Sequence, residues 1–354
     1  MKKTFFLLLS LSFALLVTAQ APSNYYNSAN GLTGNPLRQA LHNIVKGHTS
    51  VTYSQLWTAF WATDNKGNGV VWDMYSDRPN GNPPYTFYHG QDQCGNYTNE
   101  GDCYNREHSW PTSWFNNDGI ARTDLHHIFP VDGFVNNKRA NFAFGEVRSA
   151  SWTSQNGSKL GSCATSGFSG TVFEPIDEYK GDFARAIMYM SVRYYGEDAS
   201  WGSSDMTNKS EILPWAINLL LRWNEQDPVS QKEIERNNVI YNEFQHNRNP
   251  FIDHPEYARM IWDPNWSVNE GSTEKVALFP NPVEVGQTLR LSGNNNLFDA
   301  IEICDLNGRT LLKVSGKAIN DFEVIVPEGF AQGCYIVKLI RNGNVVKREK
   351  LIVK

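Results

Sequence analysis

The chain has 354 residues, of which 40% are hydrophobic, 13% aromatic and 19% charged, and its formal net charge is −5. This length predicts about two domains, and the composition excludes a disordered acidic or basic protein. The negative net charge excludes a global basic field, so a nucleic-acid partner would have to be attracted by a local positive potential or by a metal ion.

The beginning of the chain has the features of a secretory signal. A Lys2-Lys3 pair precedes an apolar run from Phe5 to Val17, and an A-x-A pattern ends at Ala21. The apolar run is shorter than the ~20 residues of a membrane helix, and no later segment approaches that length. We therefore predict a signal peptide over residues 1–21 and no transmembrane segment, with a retained anchor helix as the alternative.

Export makes disulfide bonds possible. The chain contains five cysteines, of which Cys94 and Cys103 are the closest pair and flank a Gly/Asn-rich loop. We predict a disulfide between these two residues. No C-x-x-C motif indicates zinc or thioredoxin chemistry.

Apolar residues at helical spacing predict several helices. Pro36 begins the first helix, and Thr52 or Ser54 caps the second. Later helices follow from the periodicity of residues 183–194 and 212–223. Another begins at Ser230, which has capping-box spacing to Glu233, and breaks at Pro250.

Three further segments complete the region before residue 268. The run VVWDMYS from Val70 predicts a strand, and the Ser/Gly/Asn-rich residues 149–170 predict a long surface loop. The tryptophans at 57, 61 and 72 are interpreted as core, with stacking on nucleobases as the alternative.

The composition changes at residues 268–275, which we interpret as a linker, and all eleven tryptophans precede it. Residues 276–354 consist of short alternating runs separated by Asn307-Gly308 and Asn342-Gly343, both strong hairpin signals. This pattern predicts a small all-β sandwich. It contains no histidine, so we expect no catalytic role for it.

The stretch from Tyr104 to Phe142 concentrates the residues that could carry chemistry. Hydrolysis of a phosphodiester needs a base for water and a cation that offsets negative charge. His108 can serve as the base, while the oxygens of Glu107 and Asn136 suit a hard ion such as Mg²⁺ better than zinc. Because neighbouring residues on a strand point to opposite faces, Glu107 and His108 can share a pocket only at a strand end.

Each of these residues also has a structural interpretation. Glu107 with His108, taken alone, is a common surface dipeptide. Asp124 and His126, on alternate positions of a predicted strand, are interpreted as a buried pair that supports a neighbouring loop, with His127 on the opposite side. Arg139 and Asn141 could either cap helix ends or contact phosphate.

Three motifs in this stretch occur in a characteristic order: N-R-E-H-x-x-P, D-L-H-H-I-x-P and V-N-x-x-R-x-N-F. In this order they resemble the endonuclease I family, which contains secreted or periplasmic non-specific nucleases of the His-Me finger (ββα-metal) type. The resemblance covers most of residues 32–262. It implies an α+β fold: a mainly helical nuclease domain over residues 22–267 with a ββα-metal core, followed by the all-β sandwich.

The same resemblance implies roles for individual residues. His108 would be the general base, and Glu107 and Asn136 would hold one divalent ion, Mg²⁺ or in its place Mn²⁺. The family's phosphate-binding arginine lies in a cysteine-bearing insertion that this chain lacks. Arg122 is the nearest substitute, and Arg139 is a second candidate for phosphate contact. Asp124, His126 and Asn141 are left with structural support.

The end of the chain resembles the sorting domain of type IX secretion substrates, with LFPNP at Leu278, DLNGR at Asp305 and GCY at Gly333. A carbohydrate-binding or adhesion sandwich is the alternative. The resemblance implies that the type IX secretion machinery is a partner and that the protein is secreted or held on the cell surface.

Together these observations predict a secreted, metal-dependent endonuclease, expected to be monomeric, that cuts DNA and also RNA with little sequence preference. A catalytically silent binding or adhesion protein with the same fold is the first alternative. A phosphodiesterase for other substrates, such as phospholipid head groups, is the second.

Overall fold

The computed structural model of the protein describes residues 21–263, 277–292, 300–305, 309–315, 322–341 and 344–354. The chain divides into two compact units, residues 1–266 and 267–354. Apart from Ala21, the predicted signal peptide lies outside the described residues, and so does the predicted linker. Within the described ranges no helix is long and apolar enough to cross a membrane.

The first unit combines helices with small sheets. Its helices are α1 (Gly34–Val45), α2 (Gln55–Thr63), α3 (Gly133–Arg139), α4 (Lys180–Arg193), α5 (Pro214–Gln226), α6 (Gln231–Val239), α7 (Pro250–Asp253) and α8 (Tyr257–Trp262). Its strands are β1 (Tyr104–His108), β2 (Ile128–Asp132), β3 (Ala143–Phe144), β4 (Val147–Thr153), β5 (Lys159–Cys163), β6 (Thr171–Glu174), β7 (Thr207–Asn208) and β8 (Glu211–Ile212). The order of the four-stranded sheet is β3-β6-β5-β4, and β1-β2 and β7-β8 form two-stranded sheets. The α+β class agrees with the prediction, but "mainly helical" overstates the share of the helices.

Two segments differ from the predictions. Residues 149–170 include the paired strands β4 and β5 rather than a surface loop. Gly161 on β5 lies so close to its partner that a Cβ atom there would meet the Ser149 carbonyl at 2.1 Å, which explains a small residue in this strand. The run from Val70 forms only isolated bridges, including Val70 to Tyr88, and is not a regular strand.

The predicted start of α6 is confirmed. Ser230 accepts a hydrogen bond from the Glu233 backbone, and the Glu233 side chain returns to the Ser230 backbone, which completes the capping box. The helix ends earlier than predicted. A π-helical turn over Ile240–Phe244 follows α6, and the chain reverses at His246, whose φ is +59°. Pro250 begins α7 instead of ending α6.

Helix α4 runs through the centre of the first unit, and all its residues are buried. Its aromatic and aliphatic side chains belong to the main apolar cluster. Arg185 on this helix is fully buried and compensated, because its Nε and Nη2 donate to the two carboxylate oxygens of Glu233 at 2.5 and 2.8 Å. Glu233, which takes part in the capping box of α6, therefore also links α6 to α4.

Asp124 organises the turn that precedes β2. Its carboxylate is fully buried and accepts hydrogen bonds from two tyrosines of α4 and the segment after it, one glutamine and one backbone amide: Tyr189 Oη at 2.8 Å, Tyr194 Oη at 3.1 Å, Gln245 Nε2 at 3.0 Å and His126 N at 3.1 Å. Burial alone would raise the pKa of Asp124, but neighbouring histidines and these donors lower it below its usual range.

Asp73, two residues before Tyr75 in the chain, has a second buried carboxylate. Asp73 Oδ1 accepts from the Tyr75 backbone at 2.8 Å, whereas Asp73 Oδ2 is enclosed and has no hydrogen-bond partner among the described residues. Burial, followed by the charge of Asp132, raises the pKa of Asp73 to about 7. The ionised form of Asp73 is therefore unfavourable in the folded protein.

The second unit contains β strands. They are β9 (Ala277–Phe279), β10 (Thr288–Ser292), β11 (Ala300–Cys304), β12 (Thr310–Ser315), β13 (Phe322–Ile325), β14 (Gly333–Arg341) and β15 (Asn344–Val353). They form two antiparallel sheets, in the orders β13-β10-β9 and β12-β11-β14-β15, and their buried side chains form one apolar cluster. Both predicted Asn-Gly turns fall outside the described residues.

The Asp124 network predicts a large effect on stability. Asp124→Ala leaves two tyrosine hydroxyls, the Gln245 side-chain amide and the His126 backbone amide without their acceptor, so we expect it to lower the free energy of unfolding by about 3–5 kcal/mol. Urea unfolding followed by tryptophan fluorescence measures this change. Glu178→Ala, at an exposed position, should stay within about 0.5 kcal/mol of wild type. Equal effects of the two substitutions would contradict the role of the network.

Asp73 predicts a pH dependence. A carboxyl group whose pKa is higher in the folded than in the unfolded protein stabilises at low pH, and this contribution is lost as pH rises from about 4 to the folded pKa of about 7. Asp73→Asn stays neutral. Between pH 5 and pH 8 it should therefore lose less stability than wild type, by on the order of 2 kcal/mol. Parallel stability curves for the two proteins would refute this expectation.

Candidate active site

Two strands and one helix place the candidate residues. Strands β1 and β2 pair antiparallel, with Glu107 opposite Phe129 and His108 opposite Ile128. Helix α3 follows β2 directly, because Asp132 ends the strand and its Oδ1 accepts from Val135 N at 2.8 Å. The α3 helix thereby lies against β1, which ends at His108. The bounds of β1 agree with the predicted position at a strand end.

The two faces of β1 contact different elements. On one face, Asn105 and Glu107 meet α3, since Asn136 Nδ2 donates to Asn105 Oδ1 at 2.7 Å and Arg139 Nη1 donates to Glu107 Oε1 at 3.0 Å. On the other face, Arg106 Nη1 donates to the backbone oxygen of Tyr53 at 2.9 Å. Side-chain alternation along the strand explains this division.

Glu107 is 1% exposed. Its Oε1 accepts from Tyr75 Oη at 2.9 Å and from Arg139 Nη1 at 3.0 Å. Its Oε2 has no hydrogen bond to any described residue, yet it is not one of the fully enclosed unpaired atoms. Burial raises the pKa of Glu107 to about 7, although Arg139 and then Tyr75 act to lower it. One carboxylate oxygen is thus held in place and the other is open.

Asn136 is oriented in a similar way. Its Nδ2 donates to Asn105 Oδ1 at 2.7 Å and to the Arg106 backbone oxygen at 3.3 Å. These two acceptors determine which end of the amide faces β1. Asn136 Oδ1, which makes no hydrogen bond to the described part of the chain, is left as a free acceptor.

His108 is 8% exposed. Its Nε2 lies 3.0 Å from the Arg122 backbone oxygen, and because a carbonyl can only accept, the proton resides on Nε2 and the lone pair on Nδ1. Burial, followed by the proximity of His127, lowers the pKa of His108 to about 3. The imidazole is therefore neutral at physiological pH and can accept a proton at Nδ1.

The two arginine candidates occupy different environments. Arg139 is fully buried, and besides Glu107 it donates to the backbone oxygens of His108 at 2.9 Å and Ser109 at 2.7 Å. Because it is enclosed, Arg139 has no access to a substrate phosphate. The predicted phosphate contact of Arg139 is therefore corrected to a positioning role. Arg122 is exposed, with its Cζ 4.4 Å from the ring centroid of Tyr53.

The remaining support residues also separate. His126 is buried beside Tyr189, and its Nε2 lies 3.2 Å from the Asn247 backbone oxygen. The segment Leu125–His127 is a 3-10 turn capped by Asp124, not a strand, and for that reason His127 lies next to His108, with ring centroids 5.5 Å apart. Asn141 is exposed and its side chain bonds to no residue in the described ranges, so support from Asn141 is not observed.

Three contributors were missed by the sequence analysis: Tyr75, Asn105 and Tyr53. Tyr75 precedes Glu107 by 32 residues, and no spacing rule connects them. Asn105 could have been recognised, because alternation on β1 places it on the same face as Glu107. Tyr53 lies in the segment before α2 and reaches the site through tertiary packing, which local spacing does not reveal.

Two oxygens without hydrogen bonds to described residues, Glu107 Oε2 and Asn136 Oδ1, are the candidate ligands of a metal ion. No group of three or more His, Cys, Asp and Glu side chains among the described residues forms a metal-binding cluster. A carboxylate oxygen and an amide oxygen, both free of hydrogen bonds, are instead the donor set of a hard cation that keeps most of its water. The raised pKa of Glu107 fits a carboxylate that Arg139 alone does not fully compensate. The residues therefore fit Mg²⁺ or Mn²⁺.

The start of β1 is held by the segment around the predicted disulfide. Cys94 and Cys103 are bonded to each other. Cys94 N donates to the Tyr104 backbone oxygen at 3.2 Å, and Tyr104 N donates to that of Asp92 at 2.9 Å. The disulfide therefore lies at the opposite end of β1 from His108.

Comparisons with known proteins first concern the end of the chain. Residues 277–354 match the sequence model of the secretion system C-terminal sorting domain, which confirms the predicted sorting domain. The relatives described below include extracellular enzymes. The protein is thus secreted or located at the cell surface, as predicted.

The rest of the chain matches nucleases. An extracellular ribonuclease of Bacillus amyloliquefaciens is 39% identical over 259 residues, which cover 71% of this chain and 82% of the relative. One from Bacillus subtilis (strain 168) is 38% identical over 245 residues, 67% and 78% of the two chains. An extracellular deoxyribonuclease of Aeromonas hydrophila is 30% identical over 132 residues, 37% and 48%. The Endonuclease I sequence model matches residues 33–256, and the chain therefore belongs to the Endonuclease I family of nucleases.

Proposed function

We propose that this nuclease is a metal-dependent endonuclease that hydrolyses phosphodiester bonds of DNA and RNA with little sequence preference, and that β1, β2 and α3 form a ββα-metal core. One observation carries the proposal. Around the end of β1 the chain supplies a neutral imidazole whose Nδ1 is free, the carboxylate of Glu107 and the amide of Asn136, and the last two each keep one oxygen that no described residue binds. The relatives named as ribonucleases and as a deoxyribonuclease support activity on both nucleic acids.

His108 acts as the general base. The Arg122 carbonyl holds the proton on Nε2, so Nδ1 takes a proton from the water that attacks phosphorus. A pKa well below neutral favours the neutral form but makes the imidazole a weak base, and the contact with the carbonyl partly offsets this by stabilising the imidazolium that forms. The buried His127 beside it stays neutral, because burial lowers the pKa of His127 to about 4.

Glu107 Oε2 and Asn136 Oδ1 would hold the divalent ion. When bound, Mg²⁺ or Mn²⁺ supplies positive charge for the transition state and the leaving oxygen. Tyr75 and Arg139 hold Glu107 Oε1, and Asn105 holds the Asn136 amide. These three residues keep both free oxygens oriented before a ligand arrives, which is how a second layer of hydrogen bonds increases metal affinity.

The domain organisation is part of the proposal. We place a signal peptide at residues 1–21, the nuclease domain at 22–267, a linker at 268–275 and a β-sandwich at 276–354 that is recognised by the type IX secretion machinery. The division of the chain near residue 266 and the two matched regions support these boundaries. The protein is proposed to act as a monomer.

Replacement of the base predicts a loss in turnover. His108→Ala removes the acceptor for the water proton, so kcat on plasmid DNA in Mg²⁺ should fall by about 10²- to 10⁴-fold, with an unchanged unfolding midpoint. His254→Ala is the matched control, since that histidine packs on Tyr26 and Tyr257 instead. Cleavage by His108→Ala at the wild-type rate would contradict the assignment of His108 as the general base. A wild-type protein that binds DNA but never shortens it would favour the silent binding protein.

Replacement of the ligands predicts weaker metal binding. Glu107→Gln keeps an acceptor for Tyr75 but loses the charge, and Asn136→Ala loses the amide oxygen. Each should raise the Mn²⁺ concentration that gives half-saturation at least about 10- to 100-fold. Paramagnetic resonance of free Mn²⁺ measures this binding without substrate. Asn141→Ala, at an exposed asparagine just after α3, should bind Mn²⁺ like wild type. Unchanged binding by both ligand variants would contradict the site.

A further inference from the structure

We propose that one side of α2 and the adjoining face of β1 form a binding strip for an unpaired segment of the nucleic-acid substrate. This α2 strip consists of Tyr53, Trp57 and Trp61 with Arg106 and Arg122. It leads away from His108 toward Trp61, and it deepens the proposed function, on which it rests. A strip of this kind binds bases by stacking and phosphates by charge.

Trp57 and Trp61 share one side of α2 because they are four residues apart, and Tyr53 lies in the turn just before the helix, which begins at Gln55. Arg106, on the facing side of β1, lies between the first two, with its Cζ 3.7 Å from the ring centroid of Tyr53 and 4.3 Å from that of Trp57. Trp57 in turn packs edge-on against Tyr104 at 5.6 Å. Tyr53, Arg106 and Trp57 are therefore one continuous set of contacts against β1, and Trp61 follows Trp57 one helical turn later.

The strip begins at the active site. The Tyr53 ring lies nearly parallel to the His108 imidazole, at 15° and with centroids 6.3 Å apart. The guanidinium of the exposed Arg122 lies 4.4 Å from the same Tyr53 ring, and the backbone oxygen of Arg122 is the one that orients His108. A strand whose phosphate is attacked next to His108 would meet Tyr53 and Arg122 first.

The charges of the strip are available to a polyanion. Among the described residues, neither Arg106 nor Arg122 forms an ion pair with a carboxylate, whereas Arg38, Arg139, Arg185, Arg193 and Arg236 do. In a chain with a net charge of −5, two adjacent cations without acidic partners provide a local positive potential.

Trp61 forms the far end and remains open to solvent. Its side chain is 46% exposed. It packs on its neighbours, since the His89 ring lies 4.9 Å from it and Cβ atoms placed at Gly69 and Gly90 would be in ordinary van der Waals contact with the indole, at 3.5 and 3.7 Å. A large and accessible indole that already packs on one side can stack on a base.

The length of the strip sets the size of the occupant. From Gln55 to Trp61 the helix rises about 9 Å, and the turn before the helix carries the strip on to Tyr53. With about 3.4 Å per nucleotide along one strand, the strip accommodates about three nucleotides. In a duplex the bases are stacked on each other, so only an unpaired segment can offer a base to Trp61.

Cleavage kinetics of the full chain test the strip, with a 16-nucleotide single strand and the 16-base-pair duplex of the same sequence as substrates. Trp61→Ala should raise KM for the single strand about tenfold, leave kcat within about twofold, and leave both constants for the duplex unchanged. Trp61→Phe should retain most of the affinity. Arg122→Gln should weaken both substrates and reduce the slope of log KM against log salt by about 0.9 on the duplex.

Several outcomes would overturn the strip. An unchanged single-strand KM for Trp61→Ala, or an equal increase on both substrates, excludes stacking at Trp61. If Trp61→Ala does not fold, Trp61→Leu replaces it, because leucine keeps the apolar contact with His89 and the glycine turns. If wild type cuts neither substrate, the proposed endonuclease activity fails by itself. In that case, fluorescence anisotropy of the labelled single strand in the presence of a chelator measures binding to the strip. Trp61→Ala should then bind the strand about tenfold more weakly than wild type, and equal binding would contradict the strip.

Discussion

The buried ion pair between Arg139 and Glu107 is the interaction on which the rest of the candidate site depends. Arg139 is enclosed by protein and binds the carboxylate together with the backbone oxygens of His108 and Ser109. A charged side chain is stable in such a place only when it is paired and hydrogen-bonded. The pairing joins α3 to β1, and Asn136 of the same helix bonds to Asn105 and to the Arg106 backbone oxygen. It also removes Arg139 from any direct contact with substrate.

A second buried charge supports the other side of the site. Asp124 collects donors from α4, from the segment after α6 and from its own turn, so that elements distant in the chain meet behind β2. The turn it caps places His127 next to His108. The chemical groups thus lie at the end of one short strand, and two buried carboxylates with extensive hydrogen bonding keep that strand in position.

The electrostatics of the molecule divide in the same manner. Four arginines in the described part of the first unit pair with buried acidic side chains: Arg139, Arg185, Arg236 and Arg248. An acidic protein that acts on a polyanion must concentrate its positive charge locally. In the proposed site this charge comes from the cation that the two open oxygens would hold and from Arg106 and Arg122 near Tyr53. Binding by a few local charges and by stacking depends little on base sequence, because phosphates and the faces of bases are common to all nucleotides.

Much of this could be predicted from local patterns. The capping box at Ser230, the alternating strands of the second unit, the order of the three motifs and the position of Glu107 and His108 at a strand end are all encoded by residues a few positions apart, where backbone geometry alone decides the outcome. The loop over residues 149–170 was mispredicted because small polar residues usually indicate turns, whereas here they allow two strands to approach closely. Asp124 and His126 were placed on a strand because their spacing permits one, although capping by Asp124 produces a turn.

The amino-acid sequence by itself thus determined membership of a nuclease family, whose three ordered motifs bring the proposed base, the carboxylate and the amide together in one stretch, and it determined the sorting domain through short ordered motifs. Only the tertiary structure decided which of these groups are free to act. Tyr75 holds one oxygen of Glu107, Arg122 orients His108 through its backbone, Arg139 is buried and Trp61 is exposed. The physical reason is that burial and hydrogen-bond partners arise from contacts between residues far apart in the chain, and no local spacing specifies which side chain will be enclosed and which will face solvent.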